Sequence, residues 1–245
     1  MKKERVAALI LAAGSGERMR SETPKQFLPV DEKPMVLYSV DACEGRADLI
    51  FVVTNPDAVG RMKELMKEAG LSGAVTVVAG GRTRSESAYL GLMALEEAGG
   101  SDVVLIHDAA RCLITGDVID RVTADVRAFG TGVAGISAKN TMKLVDDAET
   151  VVSTVERSHC REIQTPQGFR FDSIRKAYEE AAKDGFPAGI TDDAMVLETY
   201  GGLPVHISEG SEENFKVTTP FDLMMAETVL TIRRLKRDAE GGING

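Results

Sequence analysis

The feature that most constrains the fold is a repeated alternation of short apolar runs with segments of helical spacing. The apolar runs lie at residues 6–11, 49–53, 75–78 and 103–106. The helical segments lie at residues 34–43, 57–69, 85–98 and 116–129. Continuous apolar runs of this kind are typical of strands that are buried on both faces. Their alternation with helices predicts an α/β domain with a mostly parallel, twisted sheet covered on both sides, over residues 1–237.

The rhythm changes between residues 141 and 156. Two short alternating stretches surround the acidic turn Asp146-Asp147-Ala148-Glu149, with no helix between them. This pattern predicts a β-hairpin, an arm of about residues 139–158 that projects from the domain. A two-stranded ribbon is marginally stable alone, so we expect a homodimer built around it. We further expect helices at 171–182 and 191–199, a strand at 204–207, a closing helix at 219–237 and a disordered tail at 238–245.

Charge, hydropathy and cysteine usage disfavour several classes of protein. The chain of 245 residues carries 29 Lys and Arg against 38 Asp and Glu, which disfavours a nucleic-acid or membrane partner but not a small anionic substrate. No apolar run approaches the roughly 18 residues of a transmembrane helix, and the first run leads into a glycine loop, not a signal cleavage site. Cys43, Cys112 and Cys160 form no C-x-x-C pair, which is typical of reduced thiols in the cytoplasm.

A loop of small residues, Ala12-Ala13-Gly14-Ser15-Gly16, follows the first predicted strand. Its amides lie at the carboxyl edge of the sheet, where open α/β sheets bind ligands. Glu17 stands where a Walker motif requires lysine, and Met19 stands where a dinucleotide fingerprint requires glycine or alanine. Three cations follow within ten residues, namely Arg18, Arg20 and Lys25. They favour a polyphosphate cradle over the alternative of solvated surface charges.

Asp108 directly follows the strand at 103–106, in the segment His107-Asp108-Ala109-Ala110-Arg111. There it can hold Mg²⁺ while nucleotide phosphates complete the shell. The alternative is a helix N-cap, which aspartate also favours. We interpret His107 as structural.

Three further segments carry candidate residues. In Gly80-Gly81-Arg82-Thr83-Arg84-Ser85-Glu86-Ser87, the amides and the Ser87 hydroxyl are available to a base or ribose. Arg84 is either a phosphate ligand or a surface helix charge. Thr191, in Thr191-Asp192-Asp193, is a credible helix cap. Residues 214–218 are predicted to form a short strand that carries Lys216.

Taken together, these segments resemble the 2-C-methyl-D-erythritol 4-phosphate cytidylyltransferases of non-mevalonate isoprenoid synthesis, over about residues 6–230. The matching motifs, in order, are LAAGSGERM, PKQF, GG-x-x-R-x-x-S, HDAAR, NTMK, QTPQ-x-F, ITDD and NFKVT. The resemblance implies one Rossmann-like nucleotidyltransferase domain with a dimerisation arm. It implies a reaction of CTP with 2-C-methyl-D-erythritol 4-phosphate that gives 4-diphosphocytidyl-2-C-methyl-D-erythritol and pyrophosphate, with Mg²⁺ or another divalent cation.

The resemblance also implies roles for individual residues. The residues implied to wrap CTP are Ala12, Ala13, Gly14, Ser15 and Gly16, with Gly80, Gly81 and Ser87 on cytosine and ribose. The implied catalytic cations are Arg18, Lys25 and Lys216, and the implied metal residue is Asp108. The residues implied to contact the sugar phosphate are Asp108, Arg111, Thr141, Arg157, Thr165 and Lys216. The arm would carry Arg157 into the active site of the neighbouring subunit.

Two departures from the family pattern bear on the acceptor. Cys112 follows HDAAR where the family usually has proline, which we expect to loosen that loop. Residues 158–162 stand where the family tends to carry Leu-Trp, in the region that lines the sugar-phosphate pocket. Ribitol 5-phosphate cytidylyltransferases share most motifs but tend to have Ala-Gly-Gly in the first loop, so Ala12-Ala13-Gly14 favours the methylerythritol enzymes.

Two other classes remain as alternatives. A non-catalytic nucleotide-sensing subunit of the same fold should have lost the catalytic cations or the metal carboxylate, yet all of them are present here. A dinucleotide oxidoreductase is disfavoured by Met19.

Overall fold

A seven-stranded sheet forms the centre of the molecule in the computed structural model, which describes residues 3–14, 19 and 23–241. In chain order the strands are β1 (Val6–Ala12), β2 (Pro29–Val30), β3 (Lys33–Pro34), β4 (Leu49–Thr54), β5 (Val75–Ala79), β6 (Val103–Asp108), β7 (Thr131–Ser137), β8 (Lys143–Val145), β9 (Val151–Thr154), β10 (Arg161–Arg170) and β11 (Ile207–Glu209). The sheet has the order β11-β7-β10-β6-β1-β4-β5, and β2–β3 and β8–β9 form separate hairpins. Within the seven-stranded sheet, only β10 runs antiparallel to its neighbours. The predicted mostly parallel α/β sheet is therefore confirmed.

Helices cover both faces of this sheet. They are α1 (Met35–Cys43), α2 (Val59–Glu68), α3 (Arg84–Glu97), α4 (Gly116–Phe129), α5 (Phe171–Lys183), α6 (Asp193–Val196) and α7 (Pro220–Gly241). Successive residues of β1 point to opposite faces. Ala8 and Ile10 pack with α1, α2 and α4, while Ala7 and Leu9 pack with α3 and α5. Helix α3 lies so close to the sheet that a Cβ on Gly91 would lie 2.4 Å from Leu9 Cδ1. None of these helices combines the length and the apolar character that crossing a bilayer requires.

The strand order reverses between β1 and β6. From β1 the chain continues through β4 to β5 on one side, and β6 then pairs with the other side of β1. Leu11 near the end of β1 lies opposite Asp108 at the end of β6. Open α/β sheets bind ligands in the crevice outside the carboxyl ends of such strands. The topology therefore predicts a site beside Ala12 and Asp108.

The strands β7 and β10 were not predicted. β10 contains Gln164, Thr165 and Gln167, polar side chains that are at most 4% exposed. Their hydrogen-bond partners come from distant segments; for example, Gln167 Oε1 accepts from Ala194 N at 2.8 Å. Local sequence does not reveal such partners, and the segment therefore lacks the apolar pattern of the other strands.

Several predictions for the C-terminal third were wrong in position. The strand expected at 204–207 lies at Ile207–Glu209, and residues 214–218 form no strand. Instead, Val217 N donates to the carbonyl of Ala110 in the loop after β6, at 2.8 Å. The helix expected at 191–199 is α6, followed by a π-helical turn at Leu197–Gly201.

The ends of α6 and α7 also differ from the predictions. Asp192 caps α6, accepting from Met195 N at 2.9 Å, so Thr191 is not its cap. Helix α7 continues to Gly241, so residues 238–241 are not the expected disordered tail; residues 242–245 lie outside the described part of the chain. The physical reason is that Asp238, Ala239 and Glu240 include no glycine or proline that would break a helix.

The predicted hairpin is present. β8 and β9 pair antiparallel, with Lys143 opposite Thr154, and every residue of both strands is exposed. Asp146 Oδ1 closes the turn by accepting from the amides of Ala148 and Thr150 at 3.0 and 2.9 Å. Aspartate side chains stabilise turns in this way.

Candidate active site

A cavity of about 490 Å³ lies at the crevice between β1 and β6. The predicted residues among its lining are Ala12, Ala13, Gly14, Lys25, Gly81, Ser87, Asp108 and Lys216. Cavities that hold nucleotide-sized ligands have volumes of roughly 300–1,000 Å³. The structure thus brings most of the predicted nucleotide residues to one place.

A second cavity, of about 240 Å³, adjoins the first. Arg111, Thr165 and Thr191 line it. Three charged residues line both cavities, namely Arg84, Asp108 and Lys216. A larger and a smaller ligand would therefore meet at these three side chains.

An ion network forms the boundary between the cavities. Lys216 Nζ lies 2.6 Å from Asp108 Oδ2, and Arg84 Nε donates to Asp108 Oδ1 at 3.0 Å. Burial alone would raise the pKa of Asp108, but Arg84 and Lys216 hold it well below its usual range. Asp108 is therefore a carboxylate at neutral pH.

The two terminal nitrogens of Arg84 are bound by a second carboxylate, that of Asp193. Its Nη1 and Nη2 atoms donate to the two carboxylate oxygens of Asp193 at 3.0 and 2.8 Å. Tyr178 Oη donates to Asp193 Oδ1 at 2.5 Å. Burial lowers the pKa of Arg84, but Asp193 and Asp108 outweigh it and raise that pKa well above the usual value. Of the two interpretations offered for Arg84, the surface helix charge is excluded, because the guanidinium lies in the site between two carboxylates.

Lys25 reaches the first cavity from the short 3₁₀ turn Lys25–Phe27, whose Gln26 and Phe27 are buried. Its Nζ donates to the carbonyl of Val217 at 2.8 Å. Since Val217 follows Lys216 in the chain, this bond ties the turn that carries Lys25 to the segment that carries Lys216, and both lysines line the cavity.

The glycine pair ahead of α3 is held by its own helix. Ser87 Oγ accepts from Gly81 N at 3.1 Å and donates to Thr83 O at 2.8 Å. A Cβ on Gly80 would lie 3.2 Å from Ala13 Cβ, so the two loops of the cavity approach closely there. Ser87 is only 2% exposed, and its hydroxyl shapes the loop.

His107 and Thr165 support Asp108 from the β10 side. Asp108 N donates to Thr165 Oγ1 at 3.0 Å, and Thr165 Oγ1 lies 3.0 Å from His107 Nδ1. Burial lowers the pKa of His107 to about 4, so this imidazole is neutral at neutral pH. These contacts agree with the structural role expected of His107. The alternative of Asp108 as a helix cap is wrong, because α4 begins only at Gly116.

Arg111 lies at the second cavity, where its Nη1 donates to Asn214 O at 2.8 Å and its Nη2 to Ile163 O at 3.1 Å. These bonds tie the loop after β6 to β10 and to the segment before Lys216. Cys112, next in the chain, is buried in the same apolar cluster as Val217.

Thr141 and Arg157 lie on the arm and line neither cavity of their own chain. Arg157 Nη1 donates to Lys139 O at 2.8 Å, and its side chain lines an open groove beside the arm. Ser158, His159 and Arg161 line the same groove, so the segment expected beside the sugar-phosphate pocket faces elsewhere within this subunit.

Four residues singled out in the first loop, namely Ser15, Gly16, Arg18 and Arg20, lie outside the described part of the chain. The sequence assigned no role to Asn55, Asp193 or Tyr178. Asn55 lines the first cavity directly after β4, and its position at the strand end was the signal for it. Asp193 stood within a recognised motif, and Tyr178 had no signal because it belongs to the apolar stripe of α5.

The site can be tested for its fit to a divalent cation. Among the described residues, no three His, Cys, Asp or Glu side chains converge to hold a metal ion. Asp108 is the one carboxylate in the described lining of the first cavity. Mg²⁺ is usually bound through one or two carboxylates together with substrate phosphates and water, so this donor set fits it only when a nucleotide is present.

The chain was compared with known families and proteins. The model of the IspD family, 2-C-methyl-D-erythritol 4-phosphate cytidylyltransferase, matches residues 6–232. The enzyme of that name from Lachnoclostridium phytofermentans is 37% identical over 230 residues, which cover 93% of this chain and 97% of the relative. The one from Synechococcus sp. strain JA-3-3Ab is 38% identical over 92% of this chain and 97% of the relative.

Solved structures show the same likeness. The 4-diphosphocytidyl-2C-methyl-D-erythritol synthase of Anaerococcus prevotii superposes with a TM-score of 0.81 at 27% identity, over 93% of this chain and 99% of that one. The cytidylyltransferase of Thermus thermophilus superposes with a TM-score of 0.73 at 28% identity, over 91% and 98% of the two chains. Together with the family match, these likenesses show that the chain belongs to the 2-C-methyl-D-erythritol 4-phosphate cytidylyltransferase family of nucleotidyltransferases.

Proposed function

We propose that this protein transfers the cytidylyl group of CTP to 2-C-methyl-D-erythritol 4-phosphate in the cytoplasm. The observation that carries the proposal is the pair of adjoining cavities with Arg84, Asp108 and Lys216 at their boundary. The larger cavity suits CTP and the smaller one suits a sugar-alcohol phosphate. The reacting phosphates would then meet at the charged boundary.

The transfer is an in-line displacement at the α-phosphorus of CTP. A phosphate oxygen of the acceptor forms the new P–O bond, the bond from the α-phosphorus to the bridging oxygen breaks, and pyrophosphate leaves with the electron pair. The attacking phosphate is already an anion near neutral pH, because its second pKa is about 6. The reaction therefore needs no general base, in agreement with a buried, neutral His107.

The work of the protein is to hold two polyanions together and to stabilise the charge of the transition state. Lys25 and Lys216 both line the larger cavity and would contact the phosphates there, and Arg18 belongs to this set by the family resemblance. Asp108 would hold Mg²⁺, which supplies a further positive charge on the phosphate oxygens. Arg111 and Thr165 would contact the acceptor in the smaller cavity.

We also propose that the active form is a homodimer in which the arm packs on the second subunit. The arm exposes Met142, Leu144, Val145, Val151 and Val152, between 44% and 68% of each side chain. Clustered exposed apolar side chains of this kind are typical of protein interfaces. Because Arg157 and Thr141 line neither cavity of their own chain, their implied contacts with the acceptor would be made in the partner's site.

The test is pyrophosphate release from CTP with two acceptors in parallel, 2-C-methyl-D-erythritol 4-phosphate and ribitol 5-phosphate. We expect release with the first, and release with the second lower by a factor of about 10² in kcat/KM. UTP in place of CTP serves as the control for the base. Equal or greater turnover of ribitol 5-phosphate would refute the proposed acceptor, and release of no pyrophosphate with either would refute the activity.

A further inference from the structure

The two cations that pair with Asp108 differ in their exposure to solvent. Lys216 and Arg84 both line the two cavities, but the side chain of Lys216 is 40% exposed and that of Arg84 is 27% exposed. A phosphate group in either cavity attracts the more exposed ammonium of Lys216. When Lys216 moves to a phosphate, Asp108 loses one of the two cations that hold it.

Arg84 is built to remain with Asp108 at that moment. A guanidinium is planar, and its donors form a rigid fork. Nε of Arg84 donates to Asp108, while Nη1 and Nη2 donate to the two oxygens of Asp193. Because the bidentate pair fixes the plane of the guanidinium, it also fixes the direction in which Nε points.

Asp193 is anchored in the core. It is fully buried and accepts a further hydrogen bond from Tyr178 Oη at 2.5 Å. Tyr178 is itself fully buried on α5 and lines neither cavity. Asp192 fixes the start of α6 from both sides, accepting from Met195 N and from Gln167 Nε2, each at 2.9 Å.

We propose that Arg84, clamped by Asp193 and Tyr178, is a positioning residue that keeps the carboxylate of Asp108 in place while Lys216 exchanges it for a phosphate. The proposal rests on the proposed function, since it assumes that Asp108 faces a metal and Lys216 a phosphate during the reaction. The four charges of the network, from Lys216 to Asp193, sum to zero. Release of Lys216 leaves a net negative charge at Asp108, which suits a divalent cation.

The test measures Mg²⁺-dependent binding of CTP without turnover. The melting temperature is recorded with saturating CTP, in the absence of acceptor, over a series of Mg²⁺ concentrations. We expect Arg84→Lys to raise the Mg²⁺ concentration at half-maximal stabilisation about tenfold, because an ammonium lacks the planar fork that binds Asp193 through two donors and directs a third donor at Asp108. We expect Tyr178→Phe, which alters no cavity lining, to raise it about threefold.

Arg175→Gln is the matched control. Arg175 lies on α5 with Tyr178, is 15% exposed, pairs with Glu96 and Glu179, and lines neither cavity. It should lower the melting temperature without changing the Mg²⁺ midpoint, as any purely structural ion pair would.

Two results would overturn the positioning role. One is a Tyr178→Phe variant, folded like the wild type, whose Mg²⁺ midpoint coincides with that of the wild type. The other is a wild-type response to CTP that does not depend on Mg²⁺. Pyrophosphate release by the wild type tests the proposed function separately, because the melting experiment contains no acceptor.

Discussion

Lys25 is separated from Val217 by 192 positions in the chain, yet its ammonium donates to the Val217 carbonyl. This contact joins the turn of Lys25 to the segment of Lys216, and both side chains line the larger cavity. Short motifs mark both lysines in the sequence, but only the fold brings their two segments together at the end of β6.

Lys25→Ala should lower kcat by about 10²-fold, because the cavity loses a cation that stabilises the transition state. The fold should survive, since the 3₁₀ turn is held by Gln26 and Phe27. The measurement is steady-state pyrophosphate release, with Lys67→Ala as the control, because Lys67 is an exposed lysine of α2 that lines neither cavity. Near-wild-type turnover in Lys25→Ala would remove this residue from the mechanism.

His107 makes the stability of the protein depend on pH. The native pKa is lowered to about 4, while the unfolded chain keeps a value near 6.5, so below pH 6.5 the unfolded state binds more protons. This contribution to stability is complete above pH 6.5 and falls as the pH drops toward 4, by about 3 kcal/mol in all.

Urea unfolding between pH 7 and pH 5 measures this slope. We expect the free energy of unfolding to fall by about 1 kcal/mol per pH unit below pH 6, and His107→Gln to reduce that slope. His159→Gln, at an exposed position beside the arm, should leave it unchanged. An unaltered slope in His107→Gln would show that this side chain is protonated in the native state as readily as in the unfolded one.

At the scale of elements, the hairpin β8–β9 exposes every residue of both its strands on its own subunit. Its apolar side chains are exposed, and its turn is closed only by local hydrogen bonds. A hairpin of this size is marginally stable in water unless it packs on another surface. Its stability therefore depends on the second subunit that we propose.

Val152→Asp should convert the dimer to a monomer, because a carboxylate replaces a valine that is 68% exposed in the isolated subunit. Burying that charge without a partner at an interface costs several kcal/mol. Ala148→Asp is the matched control, because it adds the same charge at an exposed position in the turn of the same hairpin, outside the two strands. Light scattering at assay concentration gives the mass; a dimeric Val152→Asp variant would contradict packing of this face.

At the scale of the whole molecule, each active site of the proposed dimer takes residues from both chains. We expect Arg157 of one subunit to complete the acceptor pocket of the other, where a guanidinium binds phosphate bidentately. Arg157→Ala and Lys25→Ala should then each be nearly inactive as homodimers.

Co-refolding equal amounts of these two variants should recover about a quarter of wild-type activity. About half the chains enter mixed dimers, and in each of these one site carries both defects while the other carries neither. If Arg157 acted within its own chain, every site would hold one defect and nothing would be recovered. Absence of recovery with subunit exchange verified by mass spectrometry would exclude a shared site.

The α/β fold could be predicted from the sequence because β1, β4, β5 and β6 are continuous apolar runs, and burial of such runs is a local property of the chain. The first-loop alanines, Lys25, Asp108 and Lys216 could be identified from short motifs, and the family match confirms the family that those motifs indicated. The hairpin followed from alternation around an acidic turn.

Only the tertiary structure decided the rest. Strand β10 is polar, and its Gln164 and Gln167 are buried only because partners from distant segments satisfy them. The segment 214–218 has the sequence pattern of a strand, but it pairs with no other strand. Its Val217 amide instead binds the carbonyl of Ala110 in the loop after β6. The sequence alone was equally compatible with Arg84 as a surface charge and as a residue of the site. Arg84 lies between Asp108 and Asp193 because the start of α3, the end of β6 and the start of α6 meet when the chain is folded. Ion pairs between residues so far apart in the chain leave no local pattern in the sequence.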